Sequence, residues 1–365
     1  MRVLQVSITN RMDCNPEMPD SRKYIASWLA VVCFAVFTMI VVGGVTRLTD
    51  SGLSMVEWRP IMGILPPTNA DEWQRTFDAY KQYPEYQKLN RHMDLDGFKT
   101  IFYWEYVHRL LGRLIGVIYF VPFLLFWLLG KIERPMLPKL MIGLFLGGMQ
   151  GLMGWYMVKS GLVDMPRVSH YRLAAHLLLA MTILAYLFWL LLGLLETRRA
   201  STVPLSFKAL VYGFSACLVI QLTWGGFTAG SHAGLGYNTF PRMNDQWIAD
   251  AVFAMQPWWL NLFESNATVQ FVHRWVGALV VLLVVALWVQ AMAGLSRQLK
   301  IASSFVLIAT LVQFGIGVAT LLYFVPIGIA SLHQAWACVV LVGTVYLVYC
   351  IAAPAHIKGP KVAVR

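Results

Sequence analysis

Charge is scarce in this chain: only 13% of its 365 residues are Asp, Glu, Lys or Arg. A soluble domain carries roughly twice that share, so an ordinary soluble globular protein is excluded. Cysteine is scarce as well. Cys14, Cys33, Cys217, Cys338 and Cys350 have no close partners in sequence, so there is no CxxC, no zinc spacing and no disulfide framework. They read as small buried hydrophobes. A targeting leader is lacking too. Residues 1–27 mix Asp13, Glu17 and Asp20 with the basic residues, unlike an Arg-rich transit peptide, and the first apolar run has no small-residue cleavage site. That run is expected to stay as a helix, which points to a bacterial inner membrane. Acids are the rarer sign, 18 against 29 bases. In a membrane protein that surplus is first a matter of topology, and no nucleic-acid partner is expected.

What the chain has is apolar sequence, 58% of it. Runs of about 20 residues, enough to cross a bilayer, are expected near 28–45, 105–129, 138–157, 172–195, 207–228, 271–294, 301–324 and 329–352. The predicted fold class is an all-α membrane protein with eight transmembrane helices. Five connections are short and basic: the tail with Arg22 and Lys23, the turns with Lys131 and Arg134, Arg198 and Arg199, Arg297 and Lys300, and the C-terminus with Lys358 and Arg365. By the positive-inside rule these are cytoplasmic, and so are both termini. Segments 46–104, 158–171 and 229–270 then lie outside. The first carries Trp58, Trp73, Tyr80, Tyr83 and Tyr86 among prolines. It reads as a structured cap near the headgroups, where amphipathic aromatics are favoured.

The chain also repeats itself. Gly43-Gly44-Val45-Thr46 matches Gly225-Gly226-Phe227-Thr228, and Val107-His108-Arg109 matches Val272-His273-Arg274. Gln150 with Gly154 matches Gln313 with Gly317, and His176 matches His333; the offsets are 182, 165, 163 and 157 residues. This divides the chain into a tail 1–27, a four-helix half 28–195 with cap loop 46–104, a linker 196–206, a second half 207–352 and a tail 353–365. Halves with an even number of spans share one orientation, so they are parallel repeats.

His108, His176, His273 and His333 each fall near the start of an even-numbered span, so all four lie near the outer face. One lone histidine there is ordinarily an interface residue; four in duplicated places read as ligands. Two facing helices can set two imidazoles on opposite sides of a flat macrocycle, the geometry of a bis-histidine haem iron. Zinc also takes histidine, but no Cys or carboxylate completes a tetrahedral set in the second half. His92, His170, His232 and His356 read as loop or tail residues at the surface. For Arg109 and Arg274 two roles fit: pairing with haem propionates or snorkelling to phosphate headgroups. Arg113 and Arg172 share that ambiguity. Gly143, Gly147 and Gly151, with Gly148 and Gly154 beside them, read first as a close helix-packing line.

Ionisable residues in a spanning helix are costly and therefore functional suspects. Glu105 stands three residues before His108, on the same helix face, whereas the matching residue before His273 is Gln270. Only the first half has a carboxylate at this place beside its histidine, able to serve as a base or as an anion beside developing positive charge. The competing reading is a Glu–Arg interface pair.

These residues resemble the haem A synthase family of proteobacterial and mitochondrial type. The resemblance is carried by Gly43-Gly44-Val45-Thr46-Arg47-Leu48-Thr49 with Gly52-Leu53-Ser54, Trp58, Pro66-Pro67, Glu105-Tyr106-Val107-His108-Arg109 with Gly112-Arg113, Gln150-Gly151 with Gly154-Trp155, His176, His273-Arg274 and His333-Gln334. It runs from about residue 28 to 350. It implies a haem b cofactor held by His273 and His333, and substrate haem O held by His108 and His176. The implied reaction oxidises the C8 methyl of haem O to a formyl group, giving haem A for cytochrome c oxidase, with Glu105 as the catalytic residue. Partners the resemblance brings in are membrane lipid, haem O synthase, cytochrome c oxidase assembly factors and a second copy of the chain; the electron acceptor stays open. Members from Gram-positive bacteria carry a cysteine pair in the first external loop, and loop 46–104 has none. The rival reading is a b-type cytochrome passing electrons to or from quinol, which would stack haems at two depths. A transporter with a histidine proton relay is the third.

Overall fold

A computed structural model of the chain describes residues 20–56, 65–161, 167–195 and 203–352. Cys14, Trp58, Arg198, Arg199, His356 and both expected tails, apart from residues 20–27, lie outside the described residues. The elements are α1 (Asp20–Leu48), α2 (Ala70–Tyr80), α3 (Pro84–Lys88), α4 (Leu95–Leu128), α5 (Leu137–Gly161), α6 (His170–Leu194), α7 (Leu205–Gly230), α8 (Asn261–Glu264), α9 (Asn266–Met292), α10 (Arg297–Leu322) and α11 (Ile327–Ile351). Among the described residues, eight helices are long and apolar enough to cross a membrane: all but α2, α3 and α8. There is no strand among them, only an isolated bridge between Met243 and Gln246.

Every expected span is a helix, and several begin earlier than the apolar run. α4 starts at Leu95, not near 105, because Asp94 caps it by accepting from the Gly97 N–H at 2.8 Å. α9 starts at Asn266, with Ser265 as its cap.

α1, α4, α5 and α6 touch in a closed ring, and α7, α9, α10 and α11 touch in another; α1 and α6 meet α7 and α11 between them. Within the first ring Trp28 donates to the Ile118 carbonyl at 2.8 Å and Tyr119 to the Leu140 carbonyl at 2.6 Å. These bonds satisfy the polar ends of large aromatic side chains inside an apolar core. The second ring buries Phe207, Phe214, Leu287, Leu299 and Leu347. Between the rings, Gln334 donates to the Ile40 carbonyl at 2.6 Å. Arg47 donates to the Ala229 carbonyl.

The segments after α1 and after α7 lie at one end of the bundle, called here the capped end. His232 stands 3.5 Å from Asp50 across that end. Over the first ring, α2, α3 and the protruding start of α4 form a small aromatic core from Trp73, Phe77, Tyr80, Phe98 and Phe102. Trp73 and Tyr80, expected near the headgroups, are thus interior to a small folded core, with Tyr86 packed against it.

Candidate functional site

All four singled-out histidines are backed by a glycine of a neighbouring helix. A Cβ on Gly43 of α1 would stand 2.8 Å from His108 Cε1 on α4, and one on Gly154 of α5 would stand 3.1 Å from His176 Cε1 on α6. Gly225 of α7 and His273 of α9 repeat this at 3.2 Å, and Gly317 of α10 and His333 of α11 at 2.8 Å. A side chain at Gly43 or Gly317 would force the imidazole to shift, and one at Gly154 or Gly225 would press on it. The sequence signal was there, since these glycines fall on the repeat, but their role as rests for imidazoles was not read from it. Each lies within about two turns of the capped-end terminus of its helix.

His108 and His176 are electrostatic neighbours, and so are His273 and His333. The Nδ1 atoms of all four are buried with no hydrogen-bond partner. Gln150 Nε2 lies 3.3 Å from His176 Nε2 and donates to the His176 carbonyl at 3.1 Å. Gln313 Nε2 lies 3.5 Å from His333 Nε2. Buried imidazole nitrogens lacking protein partners are costly unless something else takes them. Among the described residues no three His, Cys, Asp or Glu side chains converge. The donor sets are therefore pairs, which fits axial ligation of a macrocycle's iron better than a tetrahedral zinc. Cys33, Cys217, Cys338 and Cys350 are buried and free, as their spacing suggested.

Glu105 is 2% exposed and fully engaged. Its Oε2 accepts from Ser54 Oγ and from the Met55 N–H, both at 2.7 Å. Its Oε1 accepts from Arg109 Nε at 3.0 Å and from Arg109 Nη2. Arg109 also donates to the Met55 carbonyl at 3.0 Å. The second ring has a counterpart built from an amide. Gln270 donates to the Ala233 carbonyl at 2.9 Å and to the Gly236 carbonyl. Arg274 donates to Gln270 Oε1 at 3.1 Å, to the Thr239 carbonyl at 2.8 Å and to the Tyr237 carbonyl. Gly236 and Tyr237 stand 182 residues after Ser54 and Met55, the repeat offset of the first helices. Each half thus clasps the segment after its first helix against the histidine helix. Arg109 and Arg274, read from sequence as propionate or headgroup contacts, both donate within these clasps.

The expected glycine packing line on α5 is only partly one. A Cβ on Gly143 would collide with Tyr119 Oη, but one on Gly147, Gly148 or Gly151 would meet no atom within 4 Å. Gly147 shares the inward face of Gly143 and Gly154. The second ring has Val306, Thr310 and Phe314 at the positions matching Gly143, Gly147 and Gly151. Thr310 is buried there. A side chain at Gly147 would thus meet open space in the first ring, where the second ring buries Thr310. Two other histidines depart from expectation. His170 opens α6 with its ring 4.1 Å from that of Tyr171, and Gly230 packs on its backbone. His232 is half-buried beside Asp50. His92 is exposed.

Fold and site together define a polytopic α-helical membrane protein with two glycine-backed histidine pairs near one end of its bundle. Residues 26–345 match the cytochrome oxidase assembly protein family, and the chain belongs to it. It is similar to proteins named haem A synthase. The one from Nitrosospira multiformis is 47% identical over 330 residues, covering 88% of this chain and 93% of the relative. Those from Nitrosomonas eutropha and Parvibaculum lavamentivorans are 46% and 44% identical, covering 86% and 95% of this chain and 89% and 100% of the relatives.

Proposed function

We propose that this protein is a haem A synthase of a bacterial inner membrane, with both termini cytoplasmic and its capped end outside. It oxidises the C8 methyl of haem O to a formyl group, supplying haem A for cytochrome c oxidase. The four-helix halves 28–195 and 207–352 are parallel repeats. His108 and His176 hold the substrate haem in the first, and His273 and His333 hold a haem b in the second. The observation that carries this reading is the pair of matched histidine sets, each imidazole resting on glycine, of which only one has an acid one turn away.

Removing two electrons and a proton from a methyl on a conjugated macrocycle, the electrons passing to an oxidant outside this chain, leaves a carbocation-like carbon. Glu105, fixed by four hydrogen bonds, is a buried anion one turn from His108, and it favours that positive charge. Its full set of partners suits it to electrostatic stabilisation more than to roaming proton transfer. Water adds to the carbon and yields an alcohol. A second oxidation gives a geminal diol, which loses water to become the aldehyde. Haem b, when bound between His273 and His333, supplies one-electron redox chemistry. Ser54, Met55 and Arg109 hold Glu105 in register, and the cap above them keeps bulk water out. The single level of all four histidines favours this reading over a b-type cytochrome, which needs haems stacked through the membrane.

The test is Glu105→Ala. The variant should keep haem b and accumulate haem O or its hydroxylated intermediate, read by chromatography of extracted haems. Unchanged haem A output would remove Glu105 from the mechanism.

A further inference from the structure

Arg109 is engaged by Glu105 and the Met55 carbonyl, and Arg274 by Gln270 and loop carbonyls; a further counter-charge for the carboxylates of a haem substrate stands in the first half. Arg172 stands four residues before His176 on α6, so it lies on the same face one turn nearer the capped end. It is half-buried. Its Nη1 donates to Ser160 Oγ, and its guanidinium sits 5.0 Å over the Tyr156 ring. Among the described residues it has no carboxylate partner. Both anchors belong to α5, the helix whose Gly154 backs His176. One turn of α5 beyond Trp155, Lys159 Nζ stands 4.9 Å over that indole ring, likewise with no carboxylate partner among the described residues. Arg47, nearby at this end, donates to the Ala229 carbonyl.

The second half has nothing equivalent. At the repeat offsets, Arg172 corresponds to Ile329, Lys159 to Leu322, Ser160 to Tyr323 and Tyr156 to Ala319. The cations are a property of the half that also has Glu105 beside its histidine. A guanidinium held by a hydroxyl and an aromatic face, with donors left over, is oriented for a bidentate carboxylate.

We propose that Arg172, assisted by Lys159, binds the propionate carboxylates of the substrate haem and so sets its orientation between His108 and His176, carboxylates toward the capped end. This rests on the reading of the first half as the substrate site.

The experiment compares haem O with its propionate dimethyl ester, titrated by Soret difference spectra into the purified full-length protein carrying its resident haem. Wild type should prefer the free acid by about tenfold, the value of one well-placed charge-assisted contact. Arg172→Met should lose that preference through weaker binding of the acid, with ester binding unchanged, and Arg172→Lys should keep part of it. An Arg172→Met protein that retains the wild-type preference would overturn the proposal. The low-spin band of the resident haem reports that the variant is folded. If Arg172→Met loses that band, Arg172→Gln and Lys159→Met carry the same comparison. Titrations unaffected by His108→Ala with His176→Ala would instead overturn the substrate-site reading beneath it.

Discussion

Glu105 and Gln270 solve one mechanical problem with opposite chemistry. Where the clasped segment offers donors, the Ser54 hydroxyl and the Met55 N–H, a carboxylate receives them. Where it offers the Ala233 and Gly236 carbonyls, an amide donates. Glu105→Gln would turn two amide hydrogens toward Arg109 and lose charge-assisted bonds of about 1.5–3 kcal/mol each. The sequence made the acid–amide asymmetry plain, but which acceptors an arginine chooses depends on loop carbonyls that only folding brings near. The glycines give a sharper prediction. Gly225→Ala or Gly317→Ala should weaken the low-spin haem b band, because the new methyl stands within 3.2 Å of an imidazole carbon. Gly43→Ala or Gly154→Ala should spare that band and lower haem O and haem A content. Overpacking of this kind costs about 1–3 kcal/mol, so roughly tenfold lower occupancy is expected in haem extracts.

At the scale of elements, the spans were legible because lipid demands long apolar runs. Their ends were not, because hydropathy marks the edge of the membrane and not the end of a helix. α4 runs ten residues beyond its expected start at 105, to Leu95, and there buries Phe98, Ile101 and Phe102 under the cap. Nor could the α5 glycines be read, since small residues serve close packing and open space equally well. The cap holds a titratable group of its own. Glu85 is 5% exposed. Burial pushes its carboxyl up to about 8, helped by the negative charges of Glu105 and Asp50 and opposed by the hydrogen bond from Tyr80. In the unfolded chain it would titrate near about 4.3. Between those values the folded cap holds a proton that the unfolded chain releases, so cap stability falls as pH rises through that window and levels off above about 8. Hydrogen-exchange protection of residues 70–98 should decline from about pH 5 to about pH 8. In Glu85→Gln it should stay flat; a decline of equal size in that variant would place the titration elsewhere.

Over the whole molecule, the internal repeat proved the most informative feature of the sequence. Its offsets marked four histidines, and the same offsets mark the glycines behind them and the segments clasped above them. Family membership and eight membrane-length helices bear out the fold class. What the repeat could not convey was where the halves diverge in space. Gly147 faces an opening and Thr310 a filled core, and Arg172 has a tyrosine and a serine for neighbours where Ile329 has no charge to place. The differences fall on one side: the acid beside the histidine, the unfilled glycine positions and the spare cations belong to the first half.

The central claim is that division of labour, and it is tested by extracting and separating the haems of three purified proteins. Wild type should yield haem b together with haem O or haem A. His108→Ala with His176→Ala should keep haem b and lose haem O and haem A. His273→Ala with His333→Ala should lose haem b and its low-spin band while the first half still takes up haem O. Loss of haem b from the first double variant, with haem O or haem A retained, would contradict the account.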